Sequence, residues 1–257
     1  MAAENEPKPA AKKVIFLNAV IFSPFLSSFK IDIAIRQLYK YNNTTMAKYP
    51  IFLELAGRRA VVIGGGAVAV RKAQALLAAG ARLVIVAEQV DDMLTALCAR
   101  SDAELIRSRY SKNYLAGAVL AIAATNNRQL NGQIYKDCQE LEILCNVVDD
   151  PELCDFFVPA VVKRGGLQIA IGTEGYCPAY AGHLRKKLEQ TFTGKHGEFL
   201  AELENIRKRI IEGVPDSADR KVLLGRLVDD KSFEYFVENG PAEWQAYADR
   251  LITEKKA

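Results

Sequence analysis

Apolar residues in the central part of the chain follow first a strand pattern and then a helix pattern. Arg59 to Ile63 is a short run rich in β-branched residues, as found in strands that are buried on both faces. From Val70 to Ala79 the apolar positions recur at helical spacing, and Gly80 is a residue type that ends helices. A second apolar run, Leu83 to Val86, follows directly. The pattern predicts a strand, a turn, a helix and a second strand.

The same alternation continues to about residue 157. Helical patterns cover Gln89 to Ala99 and Asn127 to Leu141, and strand patterns cover Glu104 to Arg107, Val119 to Ala124 and Ile143 to Val148. Strands that are separated by helices pair in parallel through right-handed crossovers. We therefore predict an α/β fold with a doubly wound parallel sheet of the Rossmann type.

The pattern changes after residue 157. Val158 to Arg164 and Leu167 to Ile171 predict a hairpin, and Ala179 to Phe192 predicts a helix. From Glu198 onward the chain is helical and charged, with breaks at Gly213 to Ser217 and at Asn239 to Pro241. The predicted domains are an atypical N-terminal extension (1–45), the dinucleotide-binding sheet (46–157), a hairpin-plus-helix unit (158–193) and a helical C-terminal domain (194–257).

Charge and composition narrow the possible partners. The formal net charge of the 257 residues is +3, and residues 1–45 carry all of it, with six basic and three acidic side chains. Because the rest is neutral, we expect no nucleic-acid partner. The apolar run Val14 to Leu26 is shorter than the ~20 residues that span a bilayer, so we expect no membrane partner. A secretory signal is a weaker alternative, and we expect the functional protein to begin at Met46.

The five cysteines indicate a reducing compartment. They form no CxxC pair and match no zinc-site spacing, and several lie in apolar segments. We therefore predict reduced thiols, a cytoplasmic location and no metal site in the protein.

The turn after the first predicted strand matches the dinucleotide-binding fingerprint, as Gly64-x-Gly66-x-x-Ala69. Gly64 permits the tight turn, and Gly66 lets the backbone approach a pyrophosphate. The helix that starts at Ala67 directs its positive end at the phosphates. The alternative, a plain glycine turn, accounts less well for the position of the motif between a strand and a helix.

The choice between NAD and NADP depends on the end of the second strand. Glu88 lies there, where an acidic residue binds the ribose hydroxyls. Arg82 precedes the strand, so no basic side chain is available for a 2′-phosphate, and NAD is favoured. In the alternative interpretation, Glu88 caps the next helix together with Asp91 and Asp92.

Two further polar groups follow predicted strands. Thr125 closes the fourth strand and Asp149 closes the fifth. In open parallel sheets the ligand lies beyond the carboxyl ends of the strands, so Thr125 should face the cofactor. Asp149 could then accept a proton while a hydride leaves for nicotinamide. An aspartate just before Pro151 is also a common turn residue.

The chain resembles the amino-terminal portion of siroheme synthase, a family that includes stand-alone precorrin-2 dehydrogenases and sirohydrochlorin ferrochelatases. The segments that carry this resemblance are Tyr49 to Leu55, Val62 to Lys72, Ala121 to Thr125 with Asn131, Cys145 to Asp149, Phe156 to Ala160, Ile169 to Gly175 and Pro178 to Glu189.

The resemblance implies NAD-dependent oxidation of precorrin-2 to sirohydrochlorin in siroheme biosynthesis. It implies that Asp149 is the essential carboxylate and that the cofactor contacts fall on Ala67, Val68, Glu88 and Gln89. In some relatives the same carboxylate assists ferrous iron insertion. Such relatives are homodimers that exchange the hairpin and the following helix.

Several further positions follow from the resemblance and from the charge pattern. The tetrapyrrole carboxylates imply cationic partners, for which the candidates are Lys163, Arg164, Arg185, Lys186 and Lys187. Thr173 occupies a position that is phosphorylated in some relatives. His183 replaces an apolar residue and favours packing over metal binding. Two alternatives remain for the whole chain: an NAD-binding regulatory module without catalysis, and a different dehydrogenase on the same sheet.

Overall fold

The structure is a computed structural model that describes residues 47–256. From Phe52 onward the chain forms one compact unit. Five parallel strands form a sheet with the order β3-β2-β1-β4-β5: β1 (Arg59–Ile63), β2 (Arg82–Val86), β3 (Glu104–Ile106), β4 (Leu120–Ala123) and β5 (Leu144–Val147). The helices between them are α1 (Ala67–Ala78), α2 (Asp92–Ala99) and α3 (Arg128–Glu140). The predicted doubly wound α/β fold is confirmed.

The sheet is buried on both faces, as its apolar strands predict. Ala60 of β1 lies opposite Leu83 of β2 and Leu120 of β4, which places β1 at the centre of the sheet. Ala60 and Val62 pack into the core on the α1 side. Val61 packs on the opposite side, with residues of α3. A central strand without solvent contact is the reason that the run from 59 to 63 contains no polar side chain after Arg59.

One capped helix end differs from the predictions and another agrees with them. Helix α2 begins at Asp92 rather than Gln89, because the Asp91 side chain accepts a hydrogen bond from the Met93 amide and caps the helix. Gly80 ends α1 as predicted, and the amide of Ala81 donates to the Leu76 carbonyl.

The free edge of β5 is covered by the returning chain. The Asp155 amide donates to the Cys145 carbonyl at 2.8 Å, and the Cys145 amide donates to the Asp155 carboxylate at 2.9 Å. The Asn146 side-chain amide donates to the Phe156 carbonyl at 2.9 Å. These bonds fasten the segment that follows Asp149 to the sheet.

The remaining chain forms a hairpin and four helices. The hairpin pairs β6 (Ala160–Arg164) with β7 (Leu167–Ile171), and the helices are α4 (Pro178–Thr191), α5 (Gly194–Gly213), α6 (Ser217–Leu227) and α7 (Asp230–Lys256). The predicted break near Asn239 is present as a kink at Gly240, with Pro241 inside α7. A further break at Val228 and Asp229 was not predicted, and there the Asp229 side chain accepts from the Ser232 amide.

Helix α5 crosses the hairpin at a contact between backbones. A Cβ on Gly197 would lie 2.7 Å from the Arg164 carbonyl oxygen. Helices α5, α6 and α7 share a separate core around Trp244 and Phe236, and the Trp244 indole donates to the Ser232 hydroxyl at 2.8 Å.

The predictions for the N-terminal extension cannot be compared with the structure, whereas the prediction of no membrane-spanning segment can be compared over residues 47–256. The N-terminal extension, its charge and the proposed start at Met46 lie outside residues 47–256. Within those residues, each helix is too short or too polar to span a bilayer.

Candidate nucleotide-binding site

The glycine turn between β1 and α1 allows two close backbone contacts. Gly64 has a φ of 128°, and a Cβ there would lie 2.2 Å from the Ala124 carbonyl oxygen. A Cβ on Gly65 would lie 1.9 Å from the Gln89 carbonyl oxygen. Sequence analysis assigned no role to Gly65, although this contact is the tighter of the two.

The end of α1 is open toward the cleft. A Cβ on Gly66 would meet no atom within 4 Å. Gly66 is the N-cap, no side chain caps the helix, and the first turn carries no acidic residue. Ala69, at the third position of the motif, is fully buried against the sheet. Unpaired amides at a helix N-terminus bind anions, so this end fits a pyrophosphate.

A cleft of about 890 Å³ lies in front of this helix end. A volume of this size suits a dinucleotide or another large ligand. It is lined by all seven residues predicted to bind the cofactor, namely Gly64, Gly66, Ala67, Val68, Glu88, Gln89 and Thr125. Their role in binding remains a prediction, but the structure brings them together.

Glu88 is paired with a residue that sequence analysis missed. The Arg109 Nε donates to the Glu88 carboxylate at 3.0 Å, and both side chains line the cleft. The statement that no basic side chain is available near a 2′-phosphate is therefore wrong. The capping alternative for Glu88 is also wrong, because Asp91 caps α2. Arg109 could have been found from the pairing of β2 with β3, because parallel pairing brings together the residues that follow the two strands.

Thr125 is held by a residue of α3. Its hydroxyl donates to the Asn131 side-chain oxygen at 2.6 Å, and the Asn131 amide group donates back to the Thr125 carbonyl at 3.0 Å. Asn131 is buried. The pair fixes the backbone between β4 and α3 where that backbone lines the cleft.

A tyrosine at the cleft, Tyr110, is likewise held by a hydrogen bond from its hydroxyl to a buried side chain of α3. The Tyr110 hydroxyl donates to Asp137 at 2.8 Å, and Gln133 donates to the other oxygen of that carboxylate at 3.0 Å. Burial and this hydrogen bond raise the pKa of Tyr110, so its hydroxyl stays protonated and acts as a donor. Asp137 is buried on α3, and Tyr110 therefore serves as a rigid wall.

Asp149 lies two residues after the end of β5 and is not among the residues that line the cleft. Its φ is 61°, a left-handed conformation that is uncommon for a residue other than glycine. The residue is exposed, and no hydrogen bond or ion pair joins its carboxylate to another group within residues 47–256. The neighbouring Asp150, in contrast, pairs with Arg128 at 3.6 Å.

A half-buried lysine on α1 lies within electrostatic reach of Asp149. Burial lowers the pKa of Lys72 and the charge of Arg71 lowers it further, whereas Cys154 and Asp149 act in the opposite direction. Sequence analysis gave Lys72 no function. The sequence contains little to single out Lys72, since a lysine on a helix face is usually solvated.

Two of the five candidate cations already have partners inside the protein. Arg164 donates to the carbonyls of Phe192 and Glu189 at 2.7 and 3.1 Å, closing the end of α4. Arg185 pairs with Glu189 one helical turn away. Lys163, Lys186 and Lys187 are exposed and remain candidates for substrate carboxylates.

The other singled-out residues form no metal site within the described chain. No group of three or more His, Cys, Asp or Glu side chains between residues 47 and 256 could hold a metal ion. All five cysteines are free thiols. His183 is exposed and stacks on Tyr180 with ring centroids 6.2 Å apart.

Comparison with known proteins agrees with this geometry. Residues 51–160 match a family described as "Putative NAD(P)-binding". The siroheme synthase of Pseudomonas paraeruginosa is 36% identical over 208 residues, which are 81% of this chain and 44% of that protein. Siroheme synthase 3 of Aeromonas hydrophila is 32% identical over 207 residues, 80% of this chain and 44% of that protein. The chain thus spans less than half the length of these relatives.

A solved structure shares the fold. SirC, a precorrin-2 dehydrogenase, superposes with a TM-score of 0.67 at 23% identity, covering 79% of this chain and 100% of that one. The sheet, the glycine turn and the open helix end define a Rossmann-type dinucleotide-binding protein, and the NAD(P)-binding match confirms the prediction of a nicotinamide dinucleotide cofactor. The chain is thus homologous to siroheme synthase over 81% of its own length, and it shares the fold of SirC.

Proposed function

We propose that the protein oxidises precorrin-2 to sirohydrochlorin in siroheme biosynthesis, with NAD as the acceptor. The observation that carries the proposal is the position of a carboxylate that has no hydrogen-bond or ion-pair partner within residues 47–256. Asp149 follows β5, and Thr125, which follows the adjacent strand β4, lies in the cleft wall. A proton acceptor and a dinucleotide site thus share the carboxyl edge of one sheet.

The chain's own residues would divide the work between binding and proton transfer. The amides at the start of α1 hold the pyrophosphate, and Glu88 holds the ribose hydroxyls. When bound, NAD takes the hydride that the substrate loses. Asp149 accepts the proton lost with it, since its carboxylate is exposed and not occupied by another group of the described chain. Lys72 of α1 lies within electrostatic reach of this carboxylate.

The strained backbone at Asp149 is consistent with this role. A non-glycine residue in the left-handed region costs of order 1–3 kcal/mol and persists where the surrounding structure holds it. Here Val148 donates to the Ala123 carbonyl at 2.9 Å on one side, and the segment bound to the edge of β5 follows on the other. The backbone on both sides of Asp149 is thereby fixed to the sheet, while the residue itself is exposed.

Two neighbouring aspartates provide the test. Asp149→Asn should lower the rate of NADH formation from precorrin-2 by a factor of about 10²–10⁴, the usual contribution of a general base. The matched control Asp150→Asn alters a residue that pairs with Arg128 and should keep most of the activity. NADH binding, followed by fluorescence, should survive in both. Full activity in Asp149→Asn would refute the assigned role.

A wild-type protein that binds NADH but oxidises no precorrin-2 would contradict the proposed reaction. That result would favour the regulatory module without catalysis. Transfer of hydride from an unrelated alcohol or amine substrate would favour a different dehydrogenase on the same sheet.

We extend the proposal to ferrous iron insertion, with iron as a substrate and Asp149 as the acceptor of pyrrole protons. The free carboxylate supports this extension in the same way as it supports the oxidation. Sirohydrochlorin and ferrous iron would be mixed with wild type or Asp149→Asn and followed by absorbance. Insertion at the rate without enzyme would remove this activity from the proposal.

We also propose a homodimer in the cytoplasm, assembled through the hairpin. A two-stranded sheet is marginal alone, and its outer face carries Val161 opposite Ala170, both exposed. Val161→Asp should lower the mass measured by sedimentation to that of a monomer. An unchanged mass would contradict this interface.

We further propose that the dinucleotide-binding domain ends at residue 157 and that the hairpin-plus-helix unit ends at residue 193.

A further inference from the structure

Arg109 has the chemistry to decide which dinucleotide enters the cleft. Its guanidinium and the Glu88 carboxylate are 3.0 Å apart, and both line the cleft. They meet because β2 and β3 are parallel neighbours, with Ser108 donating to the Ala87 carbonyl at 3.2 Å. Among the lining residues of the described chain, Arg109 is the single Lys or Arg.

The pair is exposed and therefore easily separated. The side chains of Arg109 and Glu88 are 88% and 61% exposed. Such ion pairs in water contribute little to stability, because solvent screens them and ordering two long side chains costs entropy. Arg109 can consequently leave Glu88 for a stronger partner at little cost.

The other charged groups nearby are already engaged. The Asp91 carboxylate accepts from the Met93 amide at the end of α2. Arg107 donates to the Thr95 hydroxyl at 3.0 Å and is not part of the cleft wall. An additional phosphate next to Glu88 would therefore meet Arg109 alone.

A carboxylate at the end of β2 favours the ribose hydroxyls of NAD and repels the 2′-phosphate of NADP. In this protein a guanidinium neutralises that carboxylate and can bind a phosphate through two parallel hydrogen bonds. We propose that Arg109 is a specificity-determining residue that lets the site accept NADP as well as NAD, with Glu88 setting the balance. The inference rests on the dinucleotide site of the proposed function.

The test compares NADH and NADPH binding to the full chain, measured by nicotinamide fluorescence. Arg109→Gln should weaken NADPH binding about tenfold, the loss expected for charge-assisted hydrogen bonds, and change NADH binding less than about threefold. Glu88→Gln should strengthen NADPH binding about tenfold and weaken NADH binding, because the repulsion and the ribose contact are lost together.

Arg107→Gln is the matched control, since it removes the same charge two residues away. Both affinities should stay within about twofold of wild type, because Arg107 is not part of the cleft wall and donates to Thr95 instead. Added salt should lower the NADPH affinity of wild type more than that of Arg109→Gln. Circular dichroism would show that each variant is folded.

The outcomes separate this inference from the proposed function. If both dinucleotides bind and Arg109→Gln leaves their affinity ratio unchanged, the inference is wrong and the proposed function is unaffected. If the dinucleotides bind as expected but precorrin-2 is not oxidised, the proposed reaction is wrong and the inference holds. Failure of wild type to bind either dinucleotide would overturn both.

Discussion

The glycine turn at the cleft and the glycine contact at the hairpin both bring a glycine close to a backbone carbonyl, but the two contacts serve different purposes. In the first, Gly65 lies against the Gln89 carbonyl at the start of α1. In the second, Gly197 lies against the Arg164 carbonyl in the first turns of α5. Both glycines occupy space that a Cβ would need. The two regions differ in what happens at the helix end.

Helix α1 is uncapped, whereas α5 caps itself. The Thr193 side chain accepts from the backbone amide of His196, and the His196 Nδ1 accepts from the Thr193 amide at 3.2 Å. No side chain occupies the amides of α1. A helix end that satisfies its own donors contributes packing and stability, while an open one remains available for an anion. Close approach alone therefore does not identify a ligand site.

Gly65→Ala should have the largest effect. The new Cβ would lie 1.9 Å from a backbone oxygen that cannot turn away, so the segment after β2 must shift. We expect a loss of about 3 kcal/mol in the free energy of unfolding and loss of NADH binding, measured by urea denaturation and fluorescence. Normal NADH binding in this variant would mean that the turn does not shape the cleft.

Gly197→Ala should affect stability without affecting binding. Crowding of the Arg164 carbonyl should cost about 2 kcal/mol, net of the better helix propensity of alanine. The matched control is Gly182→Ala in α4, where a Cβ meets no atom within 4 Å and where alanine should stabilise by up to about 1 kcal/mol. A weakened NADH affinity in Gly197→Ala would break the distinction between the two regions.

Gly66→Ala should weaken NADH binding without affecting stability, the reverse of Gly197→Ala. Its Cβ would enter open space in the cleft wall, so the urea midpoint should stay near that of wild type. NADH affinity should fall about tenfold, equivalent to about 1.4 kcal/mol, because the pyrophosphate can no longer approach the backbone. Unchanged affinity would place the phosphates away from this turn.

Arg164→Gln should have the smallest effect and should be confined to stability. The carbonyls at the end of α4 would lose a charged donor, at a cost of about 1 kcal/mol. The neighbouring Lys163 is exposed, and Lys163→Gln should leave the melting temperature unchanged. If Arg164→Gln instead raised the KM for precorrin-2 at unchanged stability, its assignment as a structural cation would be wrong.

The fold and the glycine motif were predictable because they are local in the sequence. Apolar periodicity identifies β1 and α1, and the spacing of Gly64 and Gly66 identifies the turn between them. Arg109 and Asn131 were not predictable in the same way, since each acts on a residue that tertiary pairing brings near. Arg164 was a candidate for substrate binding for a related reason. The charge of a residue can be read from the sequence, but the backbone carbonyls that accept its hydrogen bonds cannot.

The cover on β5 also bears on how the protein avoids aggregation. An uncovered edge strand can pair with the same strand of another molecule, and short edge strands reduce that risk. At the opposite edge β3 has three residues. The longer β5 depends on the backbone and carboxylate of Asp155 to occupy its bonding groups. The turn that displays Asp149 therefore also brings in the segment that keeps the sheet from extending into a second molecule.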